Sequence, residues 1–258
     1  MTLVDEPEFA EGALQQLAVI YQKTKEWKKA VNVAEKLARI SPKEDNIELA
    51  QYYCEYVRTL PVDSKENPQE ILQQAMKVSP GCVRVSILLA DLLIKQQNYQ
   101  SAAEILENVP NQNPNYVGEI LPQLKECYRQ LDQLDNFELF LIRVTQEHKN
   151  SSAELALADL ITEKDGRVAA QSKVYQQLNH NPSLFLFHRF IQYQIEDAEA
   201  GRGKDSLVLL HKLVGERIKQ NFDYRCTNCG YQSHKLMWCC PSCRQWEKVK
   251  PTRGIESL

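Results

Sequence analysis

The chain has 258 residues, 43% of them hydrophobic and 25% charged, with a formal net charge of −3. This balance fits a soluble globular protein of one long domain or two shorter ones, and the near-neutral charge gives no electrostatic reason to expect a nucleic-acid or membrane partner. No stretch reaches 18 uninterrupted apolar residues and no charged-then-apolar leader opens the chain, so the sequence as it stands predicts neither a membrane span nor export.

Nine glycines are few for this length and favour a helical architecture over a β-rich one. From the N-terminus, Leu14-x-x-Leu17-Ala18-x-x-Tyr21, then Trp27-x-x-Ala30-x-x-x-Ala34-x-x-Leu37, then Pro42, has the layout of a tetratricopeptide repeat: helix, tight turn, helix, proline stop. Large residues on the first helix pack on the second. Small Ala18 and Ala30 let the two approach, and Pro42 ends the unit.

The layout recurs at fixed distance. Leu89-Ala90-x-x-Leu93, Tyr99, Ala102, Leu106 and Pro114 repeat it, with 34 residues between Pro80 and Pro114. Leu157-Ala158-x-x-Ile161, Ala170, Val174 and Pro182 do so again, 68 residues or two periods beyond Pro114. The unit between, around Leu121, Leu124, Tyr128, Phe137 and Leu141, is degenerate but of the right length. Pro42 and Pro80 are 38 apart, the excess being absorbed by a loop over 60–68.

After Pro182 the stripe Phe185, Phe187, Phe190, Tyr193 reads as core, because stacked repeats bury such faces. Gly201-Arg-Gly203-Lys204 has a phosphate-loop look but lacks the Walker spacing and a preceding strand, so an interhelical turn is expected. A last helix runs through Leu207, Leu210, Leu213, Val214 and Ile218. The array opens abruptly at Asp5-Glu6-Pro7-Glu8 with no polar capping repeat, and further residues are expected upstream of Met1. The reading is an all-α solenoid of about six helix pairs over 1–220, followed by a small β domain over 221–258.

The C-terminal segment changes character. Five of the eight cysteines lie there, and Cys226-Thr-Asn-Cys229-Gly230 is answered by Cys240-Pro-Ser-Cys243. Two C-x-x-C pairs this close can converge four thiolates on a tetrahedral metal, with bonds of about 2.3 Å if the ion is zinc. Two disulfides would use the same residues, but the spacing favours the metal. A ribbon of this size is too small to fold on apolar burial alone and would draw stability from the ion. Iron in four thiolates, and hence electron transfer, is the rival to structural zinc. Gly230 suits the turn because it takes positive φ freely. Trp238, Trp246, Tyr224 and Tyr231 could offer a base-stacking surface, but in so small a ribbon they are expected to form its core and dock it on the last helices; no nucleic-acid partner is expected.

The remaining cysteines, Cys54, Cys82 and Cys127, read as small buried apolar residues, and lone thiols beside a thiolate cluster suit a reducing, cytoplasmic setting. Asn150-Ser151-Ser152 matches the glycosylation pattern only by coincidence in that setting. The five histidines form no catalytic pattern, and no Ser/His/Asp or Cys/His set can be nominated, so the chain is not read as an enzyme. His234, between the cysteine pairs, is passed over as a ligand because four better ones exist. In arrays of this type the first helix of each pair lines a groove. Counting along the repeats, Gln15, Val19, Gln22, Arg84, Ile87, Asp91, Leu155, Asp159 and Thr162 should face it, a mixture suited to an extended peptide or a partner helix.

Helical repeats ending in a metal knuckle resemble the lipopolysaccharide assembly protein B family of Gram-negative bacteria. The resemblance rests on Gly12-Ala-Leu-Gln-Gln-Leu17, Trp27-Lys-Lys-Ala30, Ala200-Gly-Arg-Gly-Lys-Asp-Ser-Leu207, Tyr224-Arg-Cys-Thr-Asn-Cys-Gly230, Trp238-Cys-Cys-Pro-Ser-Cys243 and Lys250-Pro-Thr-Arg-Gly254. It implies an N-terminal membrane helix, missing from this sequence and the sole means of membrane association. Behind that helix it implies cytoplasmic repeats and a rubredoxin-like tail at the inner membrane. It further implies an adaptor that promotes destruction of the lipid A pathway deacetylase by the membrane-anchored AAA+ protease, or a platform for other lipopolysaccharide assembly proteins. By resemblance, the metal cysteines are Cys226, Cys229, Cys240 and Cys243. Cys239 stands where the family usually has histidine and, preceding Cys240 directly, should point away from the ion.

Overall fold

The computed structural model describes residues 7–61 and 63–252. Met1, Asp5, Glu6, Val62, Arg253 and Gly254, used in the sequence reading, lie outside the described residues. The chain divides into two compact units, 1–112 and 113–258.

The first unit holds α1 (Pro7–Thr24), α2 (Trp27–Ile40), α3 (Ile47–Thr59), α4 (Pro68–Val78), α5 (Val83–Lys95), α6 (Tyr99–Glu107) and the one-turn α7 (Val109–Gln112). Consecutive helices pack against one another, and α3 also meets α5, so the first helix of one pair touches the first helix of the next. That is the stacking expected of repeats that cannot bury an apolar face alone. Leu14, Ala18, Ala30 and Ala34 are buried as the repeat layout predicts. Covering a leucine this fully contributes about 1.5–3 kcal/mol.

The second unit holds α8 (Val117–Gln130), α9 (Leu134–Glu147), α10 (Ser151–Asp165), α11 (Arg167–His180), α12 (Leu184–Asp197) and α13 (Arg202–Gln220), preceded by a short 3₁₀ turn at Pro114–Tyr116. Here α8 meets α10 and α10 meets α12, the same first-helix stacking. The degenerate fourth repeat is a full helix pair, α8 and α9, with Leu121, Leu124, Tyr128, Phe137 and Leu141 all buried.

The turns of the first, third and fourth pairs are built the same way. Lys25, Gln97 and Asp132 take the left-handed conformation, whereas Gly166 turns the fifth pair with φ 86° and ψ 172°. In those three turns the next residue's N–H then reaches back five positions, Glu26 to Tyr21 O at 2.9 Å, Asn98 to Leu93 O at 2.8 Å and Gln133 to Tyr128 O at 2.8 Å. This is the Schellman closure of a helix end, normally given to glycine. Helix starts are marked by side-chain caps: Asn46, Asn67, Asn98, Asn150 and Ser183 each accept a backbone N–H. Asn150, the coincidental glycosylation match, is thereby occupied as the cap of α10. Gly201 opens α13 at φ 145°, so the phosphate-loop lookalike is an interhelical turn.

One core expectation needs correction. Of the aromatic stripe on α12, Tyr193 is buried but Phe187 is 37% exposed. The final helix α13 buries none of its residues, and Leu210 and Leu213 are exposed. It packs against α12, and the repeat stacking that would cover its far side is absent among the described residues.

Helix ends where the sequence changes character: α13 stops at Gln220 and a three-stranded antiparallel sheet follows, with β1 (Tyr224–Cys226), β2 (Gln232–Ser233) and β3 (Val249–Pro251) in the order β2-β1-β3. The sheet belongs to the second compact unit because of what it packs on. Tyr116, fully buried, donates from its hydroxyl to Val249 O at 3.1 Å and stacks on Trp238 with ring centroids 5.3 Å apart. Tyr224 in turn donates to Glu119 Oε1 at 2.9 Å. The ribbon therefore docks on the start of the fourth helix pair, not on the last helices as the sequence reading expected.

Candidate metal centre

The two cysteine pairs sit in matching hairpin turns. In the first, Cys226 N–H donates to Tyr231 O at 2.7 Å and Gly230 N–H to Cys226 O at 2.9 Å. In the second, Cys240 N–H donates to Gln245 O at 3.0 Å and Arg244 N–H to Cys240 O at 2.8 Å. Each turn curls its two sulfurs to one side, and strand β1 carries Cys226 into the shared core with Tyr224, Cys240 and Val249.

The four sulfurs Cys226, Cys229, Cys240 and Cys243 lie within 4.8 Å of one another. Cys226 Sγ is 3.7 Å from Cys243 Sγ, and Cys229 Sγ is 3.6 Å from Cys240 Sγ. A tetrahedron with metal–sulfur bonds of about 2.3 Å has sulfur–sulfur edges of about 3.8 Å, so the spacing fits a four-thiolate ion. All eight cysteines are free, which removes the disulfide alternative.

The backbone prepares the thiolates. The N–H of Tyr231 lowers the Cys229 thiol to about 6. That of Gln245 lowers Cys243 in the same way, with the Asn228 side chain adding to it. Burial instead pushes Cys240 up to about 12, with the N–H groups of Cys243 and Ser242 only partly offsetting it. A bound cation would overcome that penalty by supplying the missing countercharge. The donor set is all sulfur and closed, as in structural sites. When bound, such an ion would cross-link the two turns; this chain's contribution is the N–H cage that spreads the excess negative charge.

Neighbouring candidates fall outside the cluster. Cys239 Sγ points to Arg244 O at 3.4 Å, away from the four sulfurs as expected from its position. His234 Nδ1 meets Asp223 Oδ2 at 3.3 Å and its ring packs on Phe222. Cys54, Cys82 and Cys127 are fully buried, and burial raises the Cys127 thiol to about 11.

The groove residues named from the repeats are only partly available. Gln15 and Val19 are exposed on α1, while Gln22 accepts from Tyr52 Oη at 3.2 Å. Ile87 and Asp91 are half-buried on α5. Arg84 departs from the expectation: it is 2% exposed, donating to Gln51 Oε1 at 2.8 Å and pairing with Glu55 at 2.6 Å. It binds α5 to α3 instead of facing a partner. On α10, Leu155 is half-buried, Asp159 pairs with Arg189, and Thr162 donates to Ala158 O at 2.8 Å. Sequence reasoning missed Tyr116 and Glu119, which seat the ribbon. The one available signal was an aromatic two residues after Pro114, too little to set it apart from core.

Known proteins place these elements. Residues 224–251 match the rubredoxin metal binding domain, and 13–48 and 69–121 match tetratricopeptide repeats. Over 254 residues the chain is 66% identical to lipopolysaccharide assembly protein B of Haemophilus influenzae, an alignment covering 98% of this chain and 64% of that protein. The chain belongs to the lipopolysaccharide assembly protein B family. It is also 38% identical to the Escherichia coli K12 member over 257 residues, 99% of this chain and 66% of that one. It therefore spans just under two thirds of the length of these relatives. A solved structure of MamA aligns over 67% of this chain and 92% of its own with a TM-score of 0.40 and 17% identity. Among the described residues no helix is long and apolar enough to cross a membrane.

Proposed function

We propose that this chain is a non-enzymatic adaptor in lipopolysaccharide synthesis. It holds the lipid A pathway deacetylase for the membrane-anchored AAA+ protease at the cytoplasmic face of the inner membrane. The observation that carries the reading is the stacked set of helix pairs joined to a metal-closed ribbon, in a chain whose relatives bear the name lipopolysaccharide assembly protein B. Stacked pairs of this kind present side chains of successive first helices for an extended segment or helix of a client. Holding client and protease together raises their effective concentration, so no catalytic group is required.

In this reading Gln15, Val19, Gln22, Ile87, Asp91, Leu155, Asp159 and Thr162 are contact positions, and Arg84 supports them from inside. One zinc ion on the four cysteines is structural. Iron would give visible absorbance from thiolate charge transfer, which zinc cannot, so a colourless loaded protein supports zinc.

A direct test immobilises the protein and measures retention of the purified deacetylase, comparing Val19→Glu with the parent. Retention that falls about tenfold or more with the substitution supports client binding through the repeats. No retention of the deacetylase by either form would favour a platform for other lipopolysaccharide assembly proteins, with no proteolytic role.

A further inference from the structure

A hollow of about 500 Å³ opens among α10, α12 and α13, inside the range of small-molecule sites. Its apolar lining comes from Leu155, Phe185 and Ile218. The charged and titratable groups facing it are His188 and Arg189 on α12, with His211, Lys212, Glu216 and Lys219 on α13. From α10, Asp159 already engages Arg189. With that pair satisfied and Glu216 as the single remaining carboxylate, the two lysines leave a positive excess before either histidine takes a proton.

The histidines are arranged unusually. Their rings stack with centroids 3.7 Å apart and planes 26° from parallel. The Nε2 of His211 is buried without a hydrogen-bond partner. A side chain on Gly215 would come within 3.0 Å of His188 Nε2, so glycine at that position lets the imidazole settle against α13. Burial first, then the charges of His211, Arg189 and Lys219, hold His188 below the ordinary imidazole value. An anion in the hollow would oppose the influence of those charges while leaving burial unchanged.

We propose that this hollow binds an organic phosphate, the phosphate meeting Lys212, Lys219 and the His188–His211 pair, and the apolar part lying on Leu155, Phe185 and Ile218. A phosphate monoester brings nearly two charges and three acceptor oxygens, which suits a lining with several separated donors better than a carboxylate does. The source is a lipid headgroup or a soluble phosphate ester, and the adaptor reading is not needed for either.

The test follows the imidazole NMR signals of His188 and His211 in the whole protein during titration with dihexanoyl phosphatidic acid, glucose 1-phosphate and, as control, dihexanoyl phosphatidylcholine. Phosphatidic acid should shift both histidines, with affinity rising as pH falls from about 8 to about 6, because protonated imidazole favours the anion. Lys212→Gln with Lys219→Gln should weaken binding about tenfold or more, whereas Glu216→Gln should tighten it two- to threefold. All three positions are exposed, so neither variant threatens the fold. Stronger binding of phosphatidic acid than of glucose 1-phosphate identifies a lipid headgroup; equal binding identifies a soluble ester. Equal response to phosphatidylcholine, no histidine shift with either phosphate, or indifference to the lysine substitutions overturns the proposal.

Discussion

Gly230 and Arg244 occupy equivalent places in the two cysteine turns, each directly after the second cysteine of its pair. Their φ angles are 77° and 59°, and each donates its N–H to the carbonyl of the first cysteine. The two halves of the metal centre are thus the same turn used twice, with glycine in one and an arginine carrying the left-handed strain in the other.

That asymmetry makes a prediction of opposite signs. A non-glycine residue in this region is disfavoured by about 1 kcal/mol. Arg244→Gly should therefore stabilise the loaded ribbon by up to about 1 kcal/mol, and Gly230→Ala should destabilise it by about as much. Thermal unfolding followed by tryptophan fluorescence, with Trp238 and Trp246 in the ribbon, reads both. Equal effects of the two substitutions would contradict the equivalence.

Removing the metal should unfold the ribbon and spare the helices. Without the cation nothing joins the four sulfurs, held 3.6–3.7 Å apart in pairs, and the small core of Tyr224, Cys226, Cys240 and Val249 cannot compensate. Chelation should leave the far-ultraviolet helical signal intact while the ribbon's amides lose exchange protection. Cys226→Ser should do the same, with metal content falling well below one ion per chain. Protons compete for the thiolates, so metal is lost as pH falls and regained as it rises. A ribbon that keeps its protection without metal would refute the structural role.

Tyr116 anchors the ribbon through one hydrogen bond and one ring stack. Tyr116→Phe keeps the stack on Trp238 but leaves Val249 O without its donor, at a cost of about 1–2 kcal/mol. Tyr116→Ala also loses the ring and should cost about 3–5 kcal/mol. Hydrogen exchange in the ribbon measures both. If Phe and Ala are equally harmful, the ring contact contributes nothing and the account of docking fails.

The buried pair Arg84–Glu55 should be costly to break and cheap to replace. Glu55→Ala removes the carboxylate paired with a guanidinium that is 2% exposed and should destabilise by about 3–5 kcal/mol. Arg84→Met together with Glu55→Leu should recover most of that loss. Denaturant midpoints of the two forms decide it, and a double variant no better than Glu55→Ala would show that the charges themselves are needed.

Helix pairs and the four-cysteine cluster were legible because each repeats a local chemical rule. Leucine and alanine spacing set the buried faces, and two C-x-x-C units set the sulfur cluster, without reference to distant parts of the chain. Long-range relationships were not. Arg84 read as a groove residue because its place on α5 follows the repeat, yet burial is decided by Gln51 and Glu55 some thirty positions earlier. The ribbon's seat on Tyr116 and Glu119 joins residues more than a hundred apart and leaves no periodic trace. Phe187 read as core because an amphipathic pattern states which residues want cover, not whether a neighbour supplies it. The stacked histidines were invisible for the same reason: His188 and His211 lie on different helices with no sequence relation.

The central claim is that this chain delivers a client for destruction. Its most direct measurement is the cellular half-life of the lipid A pathway deacetylase in cells lacking the native family member, with and without this chain joined to a membrane anchor, in the presence and absence of active membrane protease. The account predicts that the anchored chain shortens the half-life only when the protease is active. A half-life unchanged by the chain in cells with active protease would contradict it.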